Sequence, residues 1–359
     1  SVTRLQEMGR WLEVNGELVY DGKPFQFFSE GENIRYIQSR DENYLYLASF
    51  EWPQDYLHVK YVVPEENSAI HLLGYENALE WESGDRGVKV KMPEELQDPL
   101  KRPSDHIWVF KMKANPAEIV ENPLITIHGQ SADKHVFQNS TLIDMKTETA
   151  NANIFYTTDG SVPDRNSKRY EEPFTMNNTA LIRAIAIREG KVDSDIADFH
   201  LIRIDELDKY EQGVSYRYYE RDNMKFLPDF SEMKPLRSGK LKNFTLEGLD
   251  HRADQFALIF ESELFISEPG EYMIYTTSDD GSKLYVNNEL IADNDGMHAA
   301  TEVGGKVNLS KGFHSIKLEF FEAIGGEDLF VSIKEVGGEK KIIPDYLLFT
   351  KKYSILWKG

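Results

Sequence analysis

The sequence predicts an all-β protein organised as three blocks in tandem, and three observations carry that prediction. Apolar residues alternate with polar ones at period two in every third of the chain, as half-buried strands require. No long helical period alternates with those strands, which removes the strand–helix repeats of a (β/α)8 barrel or a dinucleotide-binding fold. Two clusters of breaking or acidic residues interrupt the pattern, and 359 residues exceed what one hydrophobic core usually serves.

In chain order, the first element is an exception to the β pattern. Thr3 and Gln6 suit a capping box, and Leu5, Met8 and Leu12 share a face at helical spacing, so a short N-terminal helix is expected there. Strands follow: Leu57, Val59 and Tyr61 alternate with His58 and Lys60, and Val88, Val90 and Met92 with Lys89 and Lys91. The run Lys113-Ala114-Asn115-Pro116, followed by Glu121-Asn122-Pro123, closes the first block, because each Pro removes a ladder donor and biases its predecessor away from helix. In the second block, Asp159-Gly160 ends the apolar run Ile154 to Tyr156 with a pair that tolerates positive φ, predicting a tight turn. Asp205 to Tyr210 is acidic and helix-permissive and is taken as the second junction. Beyond it, Ile316, Leu318 and Phe320 alternate with Lys317 and Glu319, and Leu329, Val331 and Ile333 keep the same period. The blocks are therefore expected at residues 1–114, 117–204 and 211–350.

Composition narrows the function classes. An apolar fraction of 40% with 28% charged residues describes a chain that folds. A net charge of −20 repels phosphate backbones and anionic lipid, so nucleic acid is excluded as a partner, while neutral glycans remain compatible. Without cysteine there are no disulfides, thiolate nucleophiles or zinc–thiolate sites. No apolar stretch approaches the roughly 20 residues that cross a bilayer as a helix, so membrane insertion is not expected. The chain opens Ser1-Val2-Thr3-Arg4 with neither an initiator Met nor a signal peptide, from which a preceding segment is expected.

Several motifs then resemble known families. Leu5 to Glu17, Glu30-Gly31-Glu32-Asn33-Ile34-Arg35, Phe50-Glu51-Trp52-Pro53 and His71-Leu72-Leu73-Gly74 resemble the region where retaining α-L-fucosidases leave their catalytic barrel and enter a C-terminal β-sandwich. The stretch Ile154 to Pro163, with Ala180 to Ala186, resembles the immunoglobulin-like C-terminal domain of chitobiases and hexosaminidases. Tyr275 to Val286, Asp293-Asn294-Asp295-Gly296-Met297-His298, Gly312-Phe313-His314 and Phe320-Phe321-Glu322 resemble the PA14 domain, a β-barrel or sandwich shared by toxins, adhesins and glycosidases. The resemblance implies a non-catalytic accessory region of a secreted, periplasmic or cell-surface glycoside hydrolase. Its catalytic carboxylates would lie in a barrel upstream of these residues, and carbohydrate, including fucosylated glycans, would be the ligand. A free-standing lectin or a purely structural spacer are the alternatives.

One site is expected. In sugar-binding PA14 adhesins a pair of aspartates joined by a cis peptide holds Ca2+, and Asp279 and Asp280 match that pair. Consecutive residues of a regular strand point to opposite faces, so the two grip one ion only where the backbone is irregular. Ca2+ needs six to eight oxygens, for which Asn287 and Asp295, with Asp293 and Asn294 nearby, are the further candidates. The competing reading is that Ser278 to Gly281 is a turn and Asp293 to Gly296 a hairpin turn. His298 and His314 are read as structural, and Trp52, Trp81 and Trp108 as core aromatics.

Overall fold

A computed structural model describes residues 2–352. The chain separates into two compact units, one made of Ser1–Ile125, Ile143–Phe174 and Leu181–Phe199, the other of Thr126–Leu142, Thr175–Ala180 and His200–Gly359. The middle block therefore contributes to both. Among the described residues no helix is long and apolar enough to cross a membrane.

The first unit opens with the helix Val2–Tyr20, longer than the sequence led us to expect and with Thr3 inside it rather than capping it. Its docking face also differs: Leu5 and Met8 are 68% and 60% exposed. The contact is made by Trp11, whose Nε1–H donates to the Ile107 carbonyl at 2.9 Å, and by Leu18, which packs on Tyr46, Ala48 and Val109. Helical spacing shows which residues share a stripe; which stripe docks depends on the sheet face awaiting cover. That sheet has six strands in the order Gly22–Glu30, Ile34–Ser39, Leu45–Ser49, Trp108–Met112, Ile70–Leu72, Ala78–Leu79. All five residues of Leu45–Ser49 are buried because Leu45 and Leu47 face the sandwich core while Tyr46 and Ala48 face the helix.

The opposing strands Tyr56–Val59, Gly87–Lys91 and Trp81–Gly84 place Leu57, Val59, Val88 and Val90 inward, as the alternation predicts. Ala114–Pro116, read from the sequence as part of a linker, is a strand antiparallel to Val62–Pro64. A terminal Pro on each strand is tolerated because this ladder has only two strands and needs no further donors. Later in this unit Asn153–Thr157 pairs with Ala180–Ile187 in the register Asn153↔Ile187 to Thr157↔Arg183. The expected turn follows: Gly160 has φ +79° and the Ser161 N–H donates to Asp159 Oδ1 at 3.0 Å.

The second unit is dominated by two facing sheets. The larger has eight strands, built around Phe256–Ile266, which pairs over its full length with Gly312–Glu322. The smaller has four in the order Thr301–Leu309, Gly270–Asp279, Asp328–Glu335, Lys341–Ile342. Between them lies a core that includes Phe244, Phe256, Phe260, Ile274, Phe320 and Val331. Of the barrel-or-sandwich alternative the structure shows the sandwich, since neither sheet closes on itself. The Asp205 to Tyr210 stretch becomes the 3-10 turn Leu207–Lys209, and Tyr210–Gln212 then joins the larger sheet against Leu348–Lys351.

Candidate metal centre

The site forms where the chain crosses from the smaller sheet to the larger one. Gly270–Asp279 belongs to the four-stranded sheet and Ser282–Val286 to the eight-stranded one, leaving two residues, Asp280 and Gly281, for the crossing. Here the inward positions turn from apolar to polar: Thr276 and Ser278 are buried and their hydroxyls lie 2.9 and 2.8 Å from Ser282 Oγ. Asn294 Nδ2 donates to Ser278 Oγ and to the Thr301 carbonyl, both at 3.0 Å, so this polar end of the core is internally satisfied. The Asp279–Asp280 peptide is cis, which is the backbone irregularity the sequence reading asked for.

Asp280 is buried and held by three backbone donors. The His298 N–H reaches Oδ1 at 2.8 Å, and the Ala323 and Ile324 N–H groups reach Oδ2 at 2.9 and 3.4 Å. Asp279 is partly exposed, with the Gly325-Gly326 loop over it: a Cβ at Gly326 would lie 3.2 Å from Asp279 Oδ2. Beneath the pair, Glu322 ends the strand Gly312–Glu322 with no exposed surface, and neither of its carboxylate oxygens has a well-formed hydrogen bond, the Asp280 backbone N–H being the one donor that bears on it. Burial first, then the Asp280, Asp279 and Glu327 carboxylates, push the Glu322 carboxyl up to about 8. One oxygen each from Asp279, Asp280 and Glu322 lie within 4.8 Å of one another. Three convergent carboxylates, one with both oxygens unspent, are a donor set that fits a hard divalent cation such as Ca2+.

The other expected ligands do not join this cluster. Asn287 sits in the turn beyond Val286, at the far end of that strand from Asp280, with its Nδ2 3.0 Å from His314 Nδ1 and its N–H on the Ser315 carbonyl. Asp295 spends Oδ1 on the Leu227 N–H at 2.8 Å and Oδ2 on Lys283 Nζ at 3.0 Å, so its charge is already offset. Asp293 accepts from the Asp295 N–H, and Asn294 serves the polar core end described above. Asp293 to Gly296 is not a hairpin turn either: Glu289–Asn294 is in the larger sheet and Thr301–Leu309 in the smaller, so the segment between them is a crossover. His298 and His314 are satisfied by carbonyls of Asn294 and Ser310 at 2.9 and 2.7 Å. Trp52 and Trp108 are buried edge to face at 5.4 Å, and Trp81 donates to the Ser68 carbonyl. Glu322 is the residue that sequence reasoning passed over, although parity held the signal: with Ile316, Leu318 and Phe320 inward, position 322 falls on the same face.

Three family models match the chain in series. They are the alpha-L-fucosidase C-terminal domain over residues 29–113, the chitobiase/beta-hexosaminidase C-terminal domain over 133–198 and the PA14 domain over 211–345. Among curated proteins, tissue alpha-L-fucosidase of Rattus norvegicus is 30% identical over 112 residues, covering 30% of this chain and 24% of that protein. The Homo sapiens tissue enzyme is 25% identical over 111 residues, covering 30% and 23%, and alpha-L-fucosidase of Dictyostelium discoideum is 29% identical over 122 residues, covering 31% and 25%. The chain thus spans about a quarter of the length of the curated relatives it matches. Among solved structures, the PA14 domain of the MpAFP antifreeze protein is 14% identical with TM-score 0.34, covering 39% of this chain and 92% of that one. A PA14 sugar-binding domain from an RTX adhesin is 16% identical with TM-score 0.33, covering 40% and 99%. The Epa9A adhesin domain of Candida glabrata, solved with Galb1-3GlcNAc, is 12% identical with TM-score 0.32, covering 41% and 93%. The chain therefore matches, in order, models of the α-L-fucosidase C-terminal domain, the chitobiase/β-hexosaminidase C-terminal domain and the PA14 domain.

Proposed function

We propose that this chain is a non-catalytic accessory region of an α-L-fucosidase-type glycoside hydrolase, in which the PA14 block binds carbohydrate through Ca2+ held by Asp279, Asp280 and Glu322. The observation that carries the reading is the buried, unpartnered Glu322 carboxylate directly beneath the Asp pair. An isolated buried carboxylate costs several kcal/mol, a cost that a cation among three carboxylates offsets. When bound, Ca2+ supplies open coordination positions that accept a pair of sugar hydroxyls. The protein's own part is to hold the carboxylates: backbone N–H groups of His298, Ala323 and Ile324 fix Asp280, and among the described residues no Lys or Arg is paired with any of the three.

In the same reading the first block packs against a catalytic barrel that lies outside this chain. It has an apolar face to offer, with Phe28 and Phe50 70% and 46% exposed and the Arg35 guanidinium within 5.6 Å of both rings. A secreted, periplasmic or cell-surface setting belongs with the proposal, because free Ca2+ there is high enough to fill an open site of modest affinity.

The test is glycan-array binding of the chain in Ca2+ and again in EDTA, with fucosylated and non-fucosylated ligands, alongside Asp279→Asn. Binding in Ca2+ that disappears in EDTA and in the variant is expected, with fucosylated ligands among the positives. Absence of binding in either condition would overturn the carbohydrate reading in favour of a spacer.

A further inference from the structure

Three exposed apolar side chains sit on two segments that reach the carboxylate cluster and on a third that packs against one of them. Phe226, Met297 and Ile324 are 65%, 45% and 61% exposed, whereas Met224, Phe321 and Ala323 in the same segments are buried. Ile324 and Met297 are tied to the cluster through Asp280, and Phe226 stands one step further out, through Gly296. Ile324 donates its N–H to Asp280 Oδ2 at 3.4 Å. Met297 precedes His298, whose N–H reaches Asp280 Oδ1 at 2.8 Å. The Phe226 ring comes within 3.8 Å of the Cβ position of Gly296, and the next residue, Leu227, donates its N–H to Asp295. Gly296 in turn abuts Gly281, the residue after Asp280. Exposed apolar residues scattered singly over a surface need no account. Three of them around one cluster of carboxylates do.

We propose that Phe226, Met297 and Ile324 form an apolar rim that reads the edge of a bound sugar and favours a deoxygenated edge, such as the methyl of a 6-deoxyhexose, over a hydroxymethyl. This rests on the reading above, that Ca2+ at Asp279, Asp280 and Glu322 takes the sugar hydroxyls. A methyl group laid on the rim leaves water at a gain. A hydroxymethyl in the same place is stripped of water with no donor or acceptor on the three side chains to replace it. Because the rim is open, the discrimination is modest, roughly fourfold to tenfold in affinity, below what an enclosed pocket achieves for one group.

The experiment compares methyl α-L-fucoside with methyl α-L-galactoside, which differ only in the hydroxyl at carbon 6, by titration calorimetry on the Ca2+-loaded chain. The triple variant F226S/M297S/I324S is measured in parallel, and the Ca2+-induced rise in Tm is recorded for both proteins. Expected is a fourfold to tenfold preference for the fucoside in the parent chain that falls to near unity in the variant, with the Ca2+-induced rise retained. Equal affinities in the parent, or an undiminished preference in the variant with its Ca2+ response intact, would overturn the rim proposal and leave the cation site standing. No Ca2+ response and no sugar binding in the parent would remove the underlying reading and the rim with it.

Discussion

Gly281 is the position whose replacement is most directly set by geometry. It bridges the two sheets between Asp280 and Ser282, and a Cβ built there would lie 2.4 Å from Phe321 Cε1, 2.7 Å from the Gly296 nitrogen and 2.8 Å from the Gly296 oxygen. Carbon atoms rest about 3.5–4.0 Å apart, so obstacles must retreat by about 1 Å on two sides. Neither yields easily. Phe321 is fully buried in a cluster with Tyr219, Ala257 and Ile259, and the Gly296 contact is backbone. Overpacking costs about 1–3 kcal/mol, and with both neighbours confined Gly281→Ala belongs at about 3 kcal/mol. For a unit of this size that lowers Tm by about 6–12 °C. Thermal and urea melts in EDTA measure it, and Ca2+ titration of Tm reports whether the displaced Asp280 still contributes. Gly84→Ala is the control, because nothing lies within 4 Å of its Cβ position. That change should stay within about 0.5 kcal/mol. A Gly281→Ala protein as stable as the control would refute the claim that the crossing is closely packed.

Other perturbations have equally definite outcomes. Phe320→Ala, in the centre of the larger core, should cost about 3–5 kcal/mol and lower the denaturant midpoint of the second unit. Asp280→Asn turns an amide N–H2 toward donors that now meet a carboxylate, so about 1–3 kcal/mol should be lost in EDTA and the Ca2+-induced rise in Tm abolished. Trp11→Ala, which removes a half-buried ring and its bond to the Ile107 carbonyl, should cost about 2 kcal/mol and expose the Val2–Tyr20 helix to proteolysis. Burial beside Tyr346 holds the His135 imidazole below its ordinary value of 6.5. The folded state then binds fewer protons than the unfolded one below pH 6.5, so stability from this group is complete above that pH and lost as pH falls, with a slope of at most about 1.4 kcal/mol per pH unit. His135→Gln should flatten that limb of a pH series of urea melts, and an unchanged slope would count against His135 as its source.

How far the sequence carried depends on whether a feature is local. Period-two runs such as Ile316, Leu318 and Phe320 fixed both strand and buried face, because alternation is a property of consecutive residues. The Asp159-Gly160 turn was legible for the same reason, its φ and side-chain bond both lying within three residues. The Val2–Tyr20 helix was legible in existence and wrong in length and docking face, since Trp11 and Leu18 meet residues some thirty to ninety positions away. Pro116 looked like a linker because Pro forbids a central strand, yet a two-stranded ladder accepts it. At the site, Asp279 and Asp280 were found as neighbours in sequence, whereas Glu322 joins them only through the pairing of distant strands. Asn287 and Asp295 were proposed for proximity in sequence, and strand direction carries Asn287 to the opposite end while Lys283 engages Asp295.

The competing explanation of Asp279 and Asp280 as an ordinary turn accounts for part of what is seen. Asp280 does what a turn carboxylate does, collecting the N–H groups of His298, Ala323 and Ile324 and so tying two loops to the crossing. A turn needs nothing beneath it, however, and least of all an acid. Position 322 faces the same interior as Leu318 and Phe320, where an apolar side chain of similar volume packs without the cost of a desolvated carboxylate. Retaining Glu322 there, within 4.8 Å of two further carboxylates and with both oxygens unspent, lowers stability for no structural return. Under the proposed reading a cation would reverse that balance, turning the repulsion among the three acids into shared coordination with the Glu322 oxygens among its ligands. The polar end of the core at Thr276, Ser278 and Asn294 closes on itself through Ser282 and draws on neither Asp279 nor Glu322.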